Sequence, residues 1–527
     1  MLQVKNLCFT HRKDLKEILK DFSCVLNDGD KAVIIGEEGN GKSTLLKWVY
    51  DPVLVEGYVE ASGERILNKE RLGYLPQELS EQDKTKSVYE FFMEEPMFLE
   101  LSPKESGKYA RDFHVPVDFF YREQKMETLS GGEKVKAQML RLLIGEPTVL
   151  LLDEPSNDID IETLEWLEKL ISEWQHIVLY ISHDETLIEN TANRVIHLEQ
   201  IRRKMLSRYT VANIPYLQYK EERLSKFEKQ KQQALSDRRE KKLRDEKYMR
   251  ILQSVNRAQA TIGGAGKNDL ADKMQAARNL KDKMHTVKSM GKRFEREDEN
   301  MTEMPEQESA IFFKLGDKNS AIPAGKTVIE YTLEKLYTPD GGRCLSSQIE
   351  LQIRGSEKIG IIGLNGAGKT TLLRKIAKEL LARDDIRAEY MPQNYEELLN
   401  MDITPVEFLD SSGDKNRLTE IRTFLGALKY TADEMAHPIA ELSGGQKAKI
   451  LLLKMSLSKA NVLLLDEPTR NFSPLSSPVI RQMLAEFPGA IISISHDRKY
   501  IEEVCTKVYR LTEDGLVLEK TNKIKLK

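Results

Sequence analysis

The sequence predicts an α/β protein in which two related domains are joined by a long antiparallel α-helical hairpin. The chain has 527 residues, more than a single hydrophobic core usually serves. A series of short motifs occurs twice, and between the two copies residues 216–304 contain no proline. We therefore divide the chain into module 1 (residues 1–210), a linker (residues 211–307) and module 2 (residues 308–527).

Composition and charge narrow the class of protein. No stretch approaches the roughly 18 consecutive apolar residues of a membrane-spanning helix. The N-terminus lacks the basic and apolar stretches of a secretory signal, which predicts a cytoplasmic protein. Residues 221–300 hold 21 Lys and Arg against 14 Asp and Glu, whereas the whole chain carries a net charge of −4. A basic segment in an otherwise acidic chain is typical of contact with a polyanion.

Module 1 opens with a phosphate-binding motif. An apolar run ends at Ile35, G-x-x-x-x-G-K-[ST] follows, and a helical pattern begins after it. In this strand-to-helix context backbone N–H groups surround phosphate oxygens, the lysine neutralises them and the hydroxyl can bind magnesium. The predicted phosphate loop comprises Gly36, Gly39, Asn40, Gly41, Lys42, Ser43 and Thr44.

A second motif in module 1 places two carboxylates at the end of a buried strand. Residues 147–155 read PTVLLLDEP, and such an uninterrupted apolar run indicates a strand covered on both faces. Acids at the carboxyl end of a parallel strand lie where α/β sheets bind their ligands. Asp153 is therefore a predicted magnesium ligand, and Glu154 is predicted to polarise an attacking water.

Module 2 repeats the series in the same order. Its phosphate loop comprises Gly363, Gly366, Ala367, Gly368, Lys369, Thr370 and Thr371. The other matches are Gln77 with Gln393, LSGGE (129–133) with LSGGQ (442–446), Asp153 with Asp466, Glu154 with Glu467, and His183 with His496. Ser130, Asp153 and His183 each precede their counterparts by 313 residues, a register that chance does not maintain.

These motifs resemble those of the ATP-binding cassette superfamily. The resemblance implies two P-loop NTPase domains that enclose ATP and magnesium head to tail. Each nucleotide would lie between the phosphate loop of one module and the LSGGQ-like signature of the other. Site one would combine the loop of module 1 with Ser443, Gly444 and Gly445. Site two would combine the loop of module 2 with Ser130, Gly131 and Gly132.

The resemblance also assigns roles to individual residues. The implied catalytic residues are Glu154, Glu467, His183, His496, Gln77 and Gln393, and the implied magnesium ligands are Ser43, Gln77, Asp153, Thr370, Gln393 and Asp466. Phe9 and Tyr337, which precede the phosphate loops, either stack on adenine or pack in the core.

The two modules depart from each other at two places. Asp160 lies where the family has its D-loop acid, whereas module 2 has Ser473 there, which implies asymmetric communication between the sites. Glu37 and Glu38 place acids beside the first phosphate loop. They would weaken nucleotide binding there unless they point outward.

The linker predicts two long helices. A continuous helix from Tyr216 to Ala260 would be roughly 65–70 Å long at 1.5 Å per residue. The glycine-rich stretch ATIGGAGKND predicts the loop that ends it. On the second helix, apolar residues recur every three or four positions from Met274 to Phe294, which predicts one packing face. A looser stripe on the first helix comprises Leu217, Leu224, Phe227, Leu235, Leu243, Ile251, Leu252 and Val255.

With this linker the chain resembles the ABC-F proteins. The resemblance implies a monomer whose own modules pair, without a membrane subunit. The implied partner is the bacterial ribosome, bound at the tRNA exit site in the ATP state with the hairpin directed toward the peptidyl-transferase centre. The hairpin tip (residues 256–268) would then contact ribosomal RNA or P-site tRNA. The candidate contacts are Arg257, Gln259, Ile262, Lys267 and Asn268.

The branch of the family and the class of function have alternatives. The stretch PTRNFSPLS in module 2 resembles antibiotic-resistance members, which displace lincosamide, pleuromutilin and streptogramin A drugs from ribosomes. A housekeeping translation factor is the alternative within the family. A transporter ATPase subunit would require separate membrane proteins and gives no reason for a long basic hairpin. A DNA-binding ATPase fits the basic segment but predicts no preference for ribosomes.

Overall fold

The structure is a computed structural model that describes residues 1–201, 206–264, 270–299, 301–305, 315–316, 320–338, 341–410 and 413–521. The chain forms two compact units. The first unit consists of Met1–Leu217 and Glu308–Lys527, and the second is Gln218–Gln307, within the linker. None of the described helices combines the length and apolarity that crossing a bilayer requires.

Module 1 contains a six-stranded, mainly parallel sheet and a three-stranded antiparallel sheet. Its strands are β1 (Leu2–His11), β2 (Glu17–Leu26), β3 (Lys31–Ile35), β4 (Val59–Leu67), β5 (Leu72–Leu75), β6 (Val149–Asp153), β7 (Ile177–Ile181), β8 (Arg194–Ile201) and β9 (Leu206–Ala212). Its helices are α1 (Lys42–Tyr50), α2 (Glu81–Thr85), α3 (Val88–Met93), α4 (Pro103–Asp112), α5 (Gly131–Ile144), α6 (Ile161–Glu173) and α7 (Glu185–Thr191). The strand orders are β5-β6-β7-β3-β8-β9 and β2-β1-β4.

The core of module 1 fixes the strands that carry the motifs. Every residue of β6 and β7 is buried, as their uninterrupted apolar sequences predict for a sheet covered on both faces. One cluster joins the small sheet, α1 and the parallel strands, and it includes the fully buried rings of Phe9 and Phe22. The carboxyl ends of β3, β6 and β7 therefore hold the phosphate loop, Asp153 and the segment before His183 at one edge of the sheet.

The linker unit contains the helices α8 (Tyr216–Gly264) and α9 (Leu270–Glu299). With 49 residues, α8 is about 74 Å long at 1.5 Å per residue. It continues past Ala260, the expected end, through Gly263 and Gly264. The predicted loop therefore begins too early in the sequence. Glycine is well tolerated at the end of a helix, so the first two glycines still belong to α8.

The linker helices contact each other through a mixed cluster of rings and charges. Arg244 on α8 lies 4.7 Å from the ring centroid of Phe294 and pairs with Glu297 at 2.9 Å and with Asp298. The Tyr248 ring packs edge-on against Phe294, with centroids 5.8 Å apart. Aromatic and cation–π contacts therefore reinforce the apolar stripe that the sequence predicts on α9.

The apolar stripe predicted on α8 is wrong at several positions. Leu224, Leu235 and Leu243 are exposed, whereas Val255 is buried as the stripe predicts. Ala234, which is not in the stripe, is also buried, since a small residue such as alanine allows another backbone to approach closely. On α9 the predicted stripe contains Val287, which is buried.

Module 2 repeats the architecture of module 1. Its strands are β10 (Thr327–Tyr337), β11 (Cys344–Arg354), β12 (Lys358–Ile362), β13 (Ala388–Met391), β14 (Val462–Asp466), β15 (Ala490–Ile494), β16 (Lys507–Thr512) and β17 (Gly515–Thr521). Its helices are α10 (Lys369–Leu381), α11 (Pro405–Leu409), α12 (Lys415–Ala427), α13 (Ala432–Ala436), α14 (Gly444–Leu457), α15 (Ser477–Ala485) and α16 (Arg498–Glu503). The strand orders are β13-β14-β15-β12-β16-β17 and β10-β11, which confirms the prediction of two α/β domains with a helical insertion.

Candidate active site

Both phosphate loops connect a parallel strand to a helix through glycines that no other residue can replace. Gly36 has a φ of 148°, and a Cβ there would lie 2.3 Å from the carbonyl oxygen of Leu198. Gly363 has a φ of 146°, and its Cβ would lie 2.7 Å from the carbonyl oxygen of Leu511. Positive φ and close backbone approach both require glycine. The loops then lead into α1 and α10.

The lysine of each phosphate loop is buried, and its side chain turns back onto the loop. Lys42 Nζ donates to the carbonyl oxygen of Gly36 at 2.9 Å, and Lys369 Nζ donates to that of Gly363 at 2.7 Å. Burial lowers the pKa of both amines, although neighbouring carboxylates oppose this shift. The positive charges therefore lie at the centre of each loop, where phosphate oxygens would be neutralised.

A hydroxyl and a carboxylate meet beside each loop. Ser43 Oγ donates to Asp153 Oδ1 at 2.9 Å, and the side chains of Thr370 and Asp466 are also hydrogen-bonded. Burial raises the pKa of Asp153 to about 6. Among the described residues, the buried Oδ2 of Asp466 has no hydrogen-bond partner. Oxygen ligands of this kind suit magnesium, so both pairs fit the cation.

Glu154 and Glu467 follow these aspartates in the strained left-handed conformation, with φ of 50° and 52°. Such strain is common at functional residues. Each accepts the backbone N–H of the histidine that follows the next strand, at 3.2 Å from His183 and 3.3 Å from His496. The sheet therefore brings together the carboxylate and the histidine that the sequence predicts in each module.

The two histidines make different contacts. His183 Nε2 lies 3.0 Å from Glu154 Oε1, and its Nδ1 is 2.7 Å from the carbonyl oxygen of Phe472 in module 2. His496 Nε2 lies 3.8 Å from Glu467 Oε1. Its buried Nδ1 has no hydrogen-bond partner in the part of the chain that the structure describes. His183 is thus hydrogen-bonded across the modules, whereas His496 is affected there by the charge of Asp160.

The electrostatics of the two sites also differ. Burial raises the pKa of Glu467 to about 8, and the nearby Asp466 carboxylate adds to the shift. Burial and the Lys369 amine lower the pKa of His496 to about 4. Burial alone would lower the pKa of His183, but the Glu154 carboxylate outweighs it and raises this pKa. At neutral pH the second pair is therefore neutral.

Site two surrounds a cavity of about 580 Å³ between the modules, a volume within the range of small-molecule sites. Module 2 contributes residues of its phosphate loop together with Gln393, Asp466, Glu467 and His496. Module 1 contributes Gly131 of its signature, Ser156–Ile159 and His183. Residues predicted for one composite site are thus brought together across the modules.

Site one contains a much smaller cavity, of about 40 Å³, lined by Glu37, Glu38, Ser443 and Gly445 among others. Glu38 Oε2 accepts the backbone N–H of Gly445 at 2.7 Å, in the first turn of α14. A helix N-terminus is a favourable place for a phosphate, and here a carboxylate occupies it. Glu38 therefore points into the site.

The signature serines begin helices, as this motif requires. Ser130 Oγ accepts the N–H of Glu133 at the start of α5, and Ser443 Oγ accepts that of Gln446 at the start of α14. A Cβ on Gly131 would lie 1.8 Å from the carbonyl oxygen of Asp158. Glycine is thus required at this position by the segment that packs against it.

Asp158 is a site residue that sequence reasoning missed. Its Oδ1 accepts from Gln393 at 3.0 Å, its Oδ2 pairs with Arg470 at 2.8 Å, and its carbonyl oxygen accepts from Asn365 at 2.5 Å. All three partners belong to module 2. The sequence feature that could have identified Asp158 is its position five residues after Asp153, in the segment that follows the strand ending in the two acids.

The carboxylate of Asp160 acts across the modules, because its charge opposes the effect of burial on the pKa values of Lys369 and His496. Its side chain accepts the N–H of Thr163 and caps α6, and Ser473 similarly accepts the N–H of Ser476. These local caps use short side chains that reach the free N–H groups of the following turn. The modules therefore differ at this position, with a carboxylate in module 1 and a hydroxyl in module 2.

The sequence also predicts ATP contacts for Phe9, Asn40 and Tyr337. Phe9 is fully buried and packs edge-on against Trp48, with centroids 6.1 Å apart. It has no face open to adenine, so its alternative role in the core is the correct one. Asn40 is buried and its side-chain amide donates to the carbonyl oxygen of Leu198 at 2.9 Å, which holds the loop. Tyr337 is 41% exposed and precedes Thr338, which lines the large cavity.

For Gln77 and the hairpin tip, the structure describes position and exposure but few contacts. Gln77 is exposed just after β5. Of the hairpin tip, Arg257 is an exposed residue of α8, and Gln259 and Ile262 are described only as helical backbone. Lys267 and Asn268 lie outside the described residues.

The fold and these sites define a twin-domain P-loop ATPase whose active sites draw on both modules. A sequence profile for the family described as "ABC transporter" matches residues 19–157 and again residues 346–470. The chain therefore belongs to the ABC transporter family of ATP-binding proteins, and it hydrolyses ATP.

Several named proteins align with this chain over most of its length. "ABC transporter F family member 4" of Arabidopsis thaliana is 27% identical over 95% of this chain and 73% of that protein. "Ribosome protection protein VmlR" of Bacillus subtilis is 26% identical over 95% and 85%. "Energy-dependent translational throttle protein EttA" of Haemophilus influenzae is 26% identical over 95% and 90%.

Solved structures confirm the fold. An archaeal ribosome recycling factor, aABCE1, solved with the stalk protein aP1, superposes with a TM-score of 0.56 at 17% identity. The match covers 97% of this chain and 89% of that one. A structure titled "RNase-L Inhibitor" gives a TM-score of 0.54 at 16% identity and covers 97% of this chain and 89% of that one.

Proposed function

We propose that this protein is an ABC-F ATPase that works in the cytoplasm on the bacterial ribosome. In its ATP-bound state it docks at the tRNA exit site and directs its hairpin toward the peptidyl-transferase centre. The observation that carries the proposal is the long, basic helical unit inserted between two ATPase modules of one chain. The names of the ribosome protection and translational throttle relatives, which align over most of their lengths, support it.

ATP-driven closure is the step that prepares the protein for docking. Each site takes a phosphate loop from one module and a signature from the other, so bound ATP favours the closed arrangement of the modules. Magnesium, held by Ser43 with Asp153 and by Thr370 with Asp466, would neutralise phosphate charge. Glu154 and Glu467 then orient the attacking water, and His183 and His496 contact the γ-phosphate. Hydrolysis removes the group that joins the modules and releases the protein.

The exposed charge of the linker favours RNA as its ligand. The exposed basic side chains of the linker include Lys231, Arg238, Arg239, Lys242, Lys281, Lys283 and Lys288. Lys241 and Arg244 instead pair with Asp298 and so hold the two helices together. Neutralisation of phosphates by exposed lysine and arginine gives salt-dependent binding without base specificity.

At its tip the hairpin is proposed to meet P-site tRNA or ribosomal RNA near the site of lincosamide, pleuromutilin and streptogramin A drugs, and to displace them. Similarity to the ribosome protection protein supports this role. A second candidate is a general translation factor for stalled ribosomes, because the throttle relative has the same 26% identity.

Cell-free bacterial translation tests the proposal. Glu154→Gln with Glu467→Gln should retain ATP, remain on ribosomes and inhibit translation. Adding Lys42→Ala and Lys369→Ala, which removes the phosphate-loop charges, should relieve that inhibition. Equal translation with both proteins, at concentrations in excess of ribosomes, would contradict the proposal.

Replacing residues 256–268 with a polar stretch of equal length distinguishes the two roles. A drug-displacing protein should restore translation in the presence of a lincosamide only with its native tip. Unchanged drug tolerance after the replacement would favour the general translation factor.

A further inference from the structure

Outside the nucleotide sites, two salt bridges connect the modules in equivalent positions. Arg481 on α15 donates from Nη2 to Oε2 of Glu185, the first residue of α7, at 2.7 Å. Arg498, the first residue of α16, donates from Nη2 to Oε2 of Glu168 on α6 at 2.8 Å. The side chains of Arg481 and Glu185 are 2% and 1% exposed. A charge buried so deeply requires a partner.

The repeat relates these two salt bridges to each other. Arg481 and Arg498 lie 313 residues after Glu168 and Glu185, the offset that also relates the catalytic residues of the modules. Each bridge therefore joins the helix after the acidic strand of one module to the helix after the histidine of the other. Module 1 carries an acid at both positions, and module 2 carries an arginine at both.

Neighbouring charges reinforce the same pattern. Arg498 also lies 3.5 Å from Asp184, and Lys499 lies 3.4 Å from Glu185 and contacts Glu189. Within module 2, Asp497 and Glu503 also face Arg481, at 3.9 Å and 2.7 Å. At this interface module 1 therefore presents acids, and the side chains that meet them from module 2 are basic.

This arrangement discriminates between possible partners of each module. If two copies of module 1 met in the same geometry, Glu168 would face Glu185. If two copies of module 2 met, arginine would face arginine. Like charges buried together are strongly unfavourable, and such repulsion is a common source of binding specificity.

We propose that Glu168, Glu185, Arg481 and Arg498 form a charge lock that determines which modules pair. The lock favours closure of module 1 on module 2 and opposes closure of like modules from two copies of the chain. Because the linker keeps the complementary module of the same chain nearby, closure is intramolecular. This inference concerns pairing alone and does not depend on the ribosome as a partner.

Full-length charge reversals test the lock. Glu168→Arg with Glu185→Arg makes both modules basic, and Arg481→Glu with Arg498→Glu makes both acidic. Each double variant should hydrolyse ATP at least about tenfold more slowly than the native protein, since about 1.4 kcal/mol lost from closure has this effect. The fourfold variant with all four changes restores the two salt bridges but places like charges beside Asp184, Asp497, Lys499 and Glu503. It should therefore recover part of the lost turnover and hydrolyse ATP faster than either double variant.

Mixing gives a second and independent readout. With a non-hydrolysable ATP analogue, each double variant alone should remain monomeric in light scattering. An equimolar mixture should form heterodimers, because every basic module then finds an acidic one on the other chain.

Circular dichroism establishes that the variants are folded. Native turnover in either folded double variant would overturn the proposal. It would also be overturned by a folded fourfold variant that hydrolyses ATP no faster than the double variants, or by a mixture that stays monomeric.

Discussion

Glu38 occupies the position that Asn365 holds in the other phosphate loop, and its carboxylate accepts the N–H of Gly445. Two like charges about 4 Å apart near a protein surface repel by up to about 4 kcal/mol. Glu38→Asn should therefore increase nucleotide affinity at site one by about tenfold or more. Titration calorimetry with a non-hydrolysable ATP analogue should show one tight site in the native protein and two in the variant.

The neighbouring acid supplies the control for this prediction. Glu37→Gln removes the same charge from the loop but leaves Glu38 on the signature helix. It should change the affinity less. An unchanged isotherm for Glu38→Asn would contradict the role given to this residue.

Glu467 should make the stability of the nucleotide-free protein depend on pH. Its pKa is raised to about 8 in the folded protein from an ordinary value of 4.5. Between these values the folded state holds a proton that the unfolded state has lost, so the free energy of unfolding falls as pH rises. From pH 6.5 to 8.5 the melting temperature should fall more in the native protein than in Glu467→Gln.

The equivalent substitution in the other module is the control. Glu154→Gln leaves Glu467 in place and should retain the fall in melting temperature. Identical pH profiles for the native protein and Glu467→Gln would contradict the raised pKa.

Tyr337 and Phe9 should respond differently to substitution. Stacking of a base on an aromatic ring contributes about 1–3 kcal/mol, so Tyr337→Ala should weaken ATP binding at site two by about tenfold or more without lowering the melting temperature. Phe9→Leu should lower stability by about 1 kcal/mol and leave ATP affinity unchanged. Fluorescent-nucleotide titration and thermal unfolding distinguish the two. Unchanged nucleotide affinity in Tyr337→Ala would remove the stacking role.

The sequence allows single-residue predictions where the chemistry is local. The phosphate loops and the acids at the ends of β6 and β14 belong to short contiguous motifs, so their neighbourhood can be read from the sequence. Asp158 could not be recognised because its partners Gln393 and Arg470 are more than 230 residues away. The role of Phe9 was ambiguous, because an aromatic residue in a strand of alternating polarity fits either packing in the core or stacking on a base.

At the scale of elements, the linker helices depend on a few buried contacts. Val287 on α9 is 5% exposed, whereas Met284, one turn earlier, is 43% exposed. Val287→Asp would bury a carboxylate without a partner, at a cost of several kcal/mol in order of magnitude. It should lower the helical signal in circular dichroism and accelerate proteolysis within the linker.

Met284→Asp is the matched control, because it introduces the same charge on the exposed face. It should leave the helical signal and the proteolysis rate close to native. Equal sensitivity of both variants to protease would contradict the packing described for α9.

The linker also shows why helices are easier to predict than their contacts. The absence of proline over residues 216–304 predicts α8 and α9 well. The packing face of α8 was harder to predict, because Leu224, Leu235 and Leu243 are exposed while Ala234 is buried. A long charged helix contacts its neighbour through rings and ion pairs that hydrophobic periodicity does not report.

At the scale of the whole molecule, the two modules share a fold, but the contacts around their nucleotide sites differ. The cavity at site two has a volume of about 580 Å³, and the cavity beside Glu38 and Gly445 at site one has a volume of about 40 Å³. His183 contacts the carbonyl oxygen of Phe472 across the modules. The repeated motifs predict two sites. The difference between the sites could not be predicted, because it arises where Glu38 and His183 of module 1 contact the backbone of module 2. A protein with unequal sites can separate ATP-driven closure from hydrolysis.

The most direct test of the proposed function is co-sedimentation of the Glu154→Gln/Glu467→Gln variant with purified bacterial ribosomes. The measurement is made with ATP, with ADP and without nucleotide. We predict that the variant pellets with ribosomes in ATP and stays in the supernatant in the other two conditions. Absence from the ribosome pellet despite confirmed ATP occupancy would contradict the account, and another partner would then have to be sought for the hairpin.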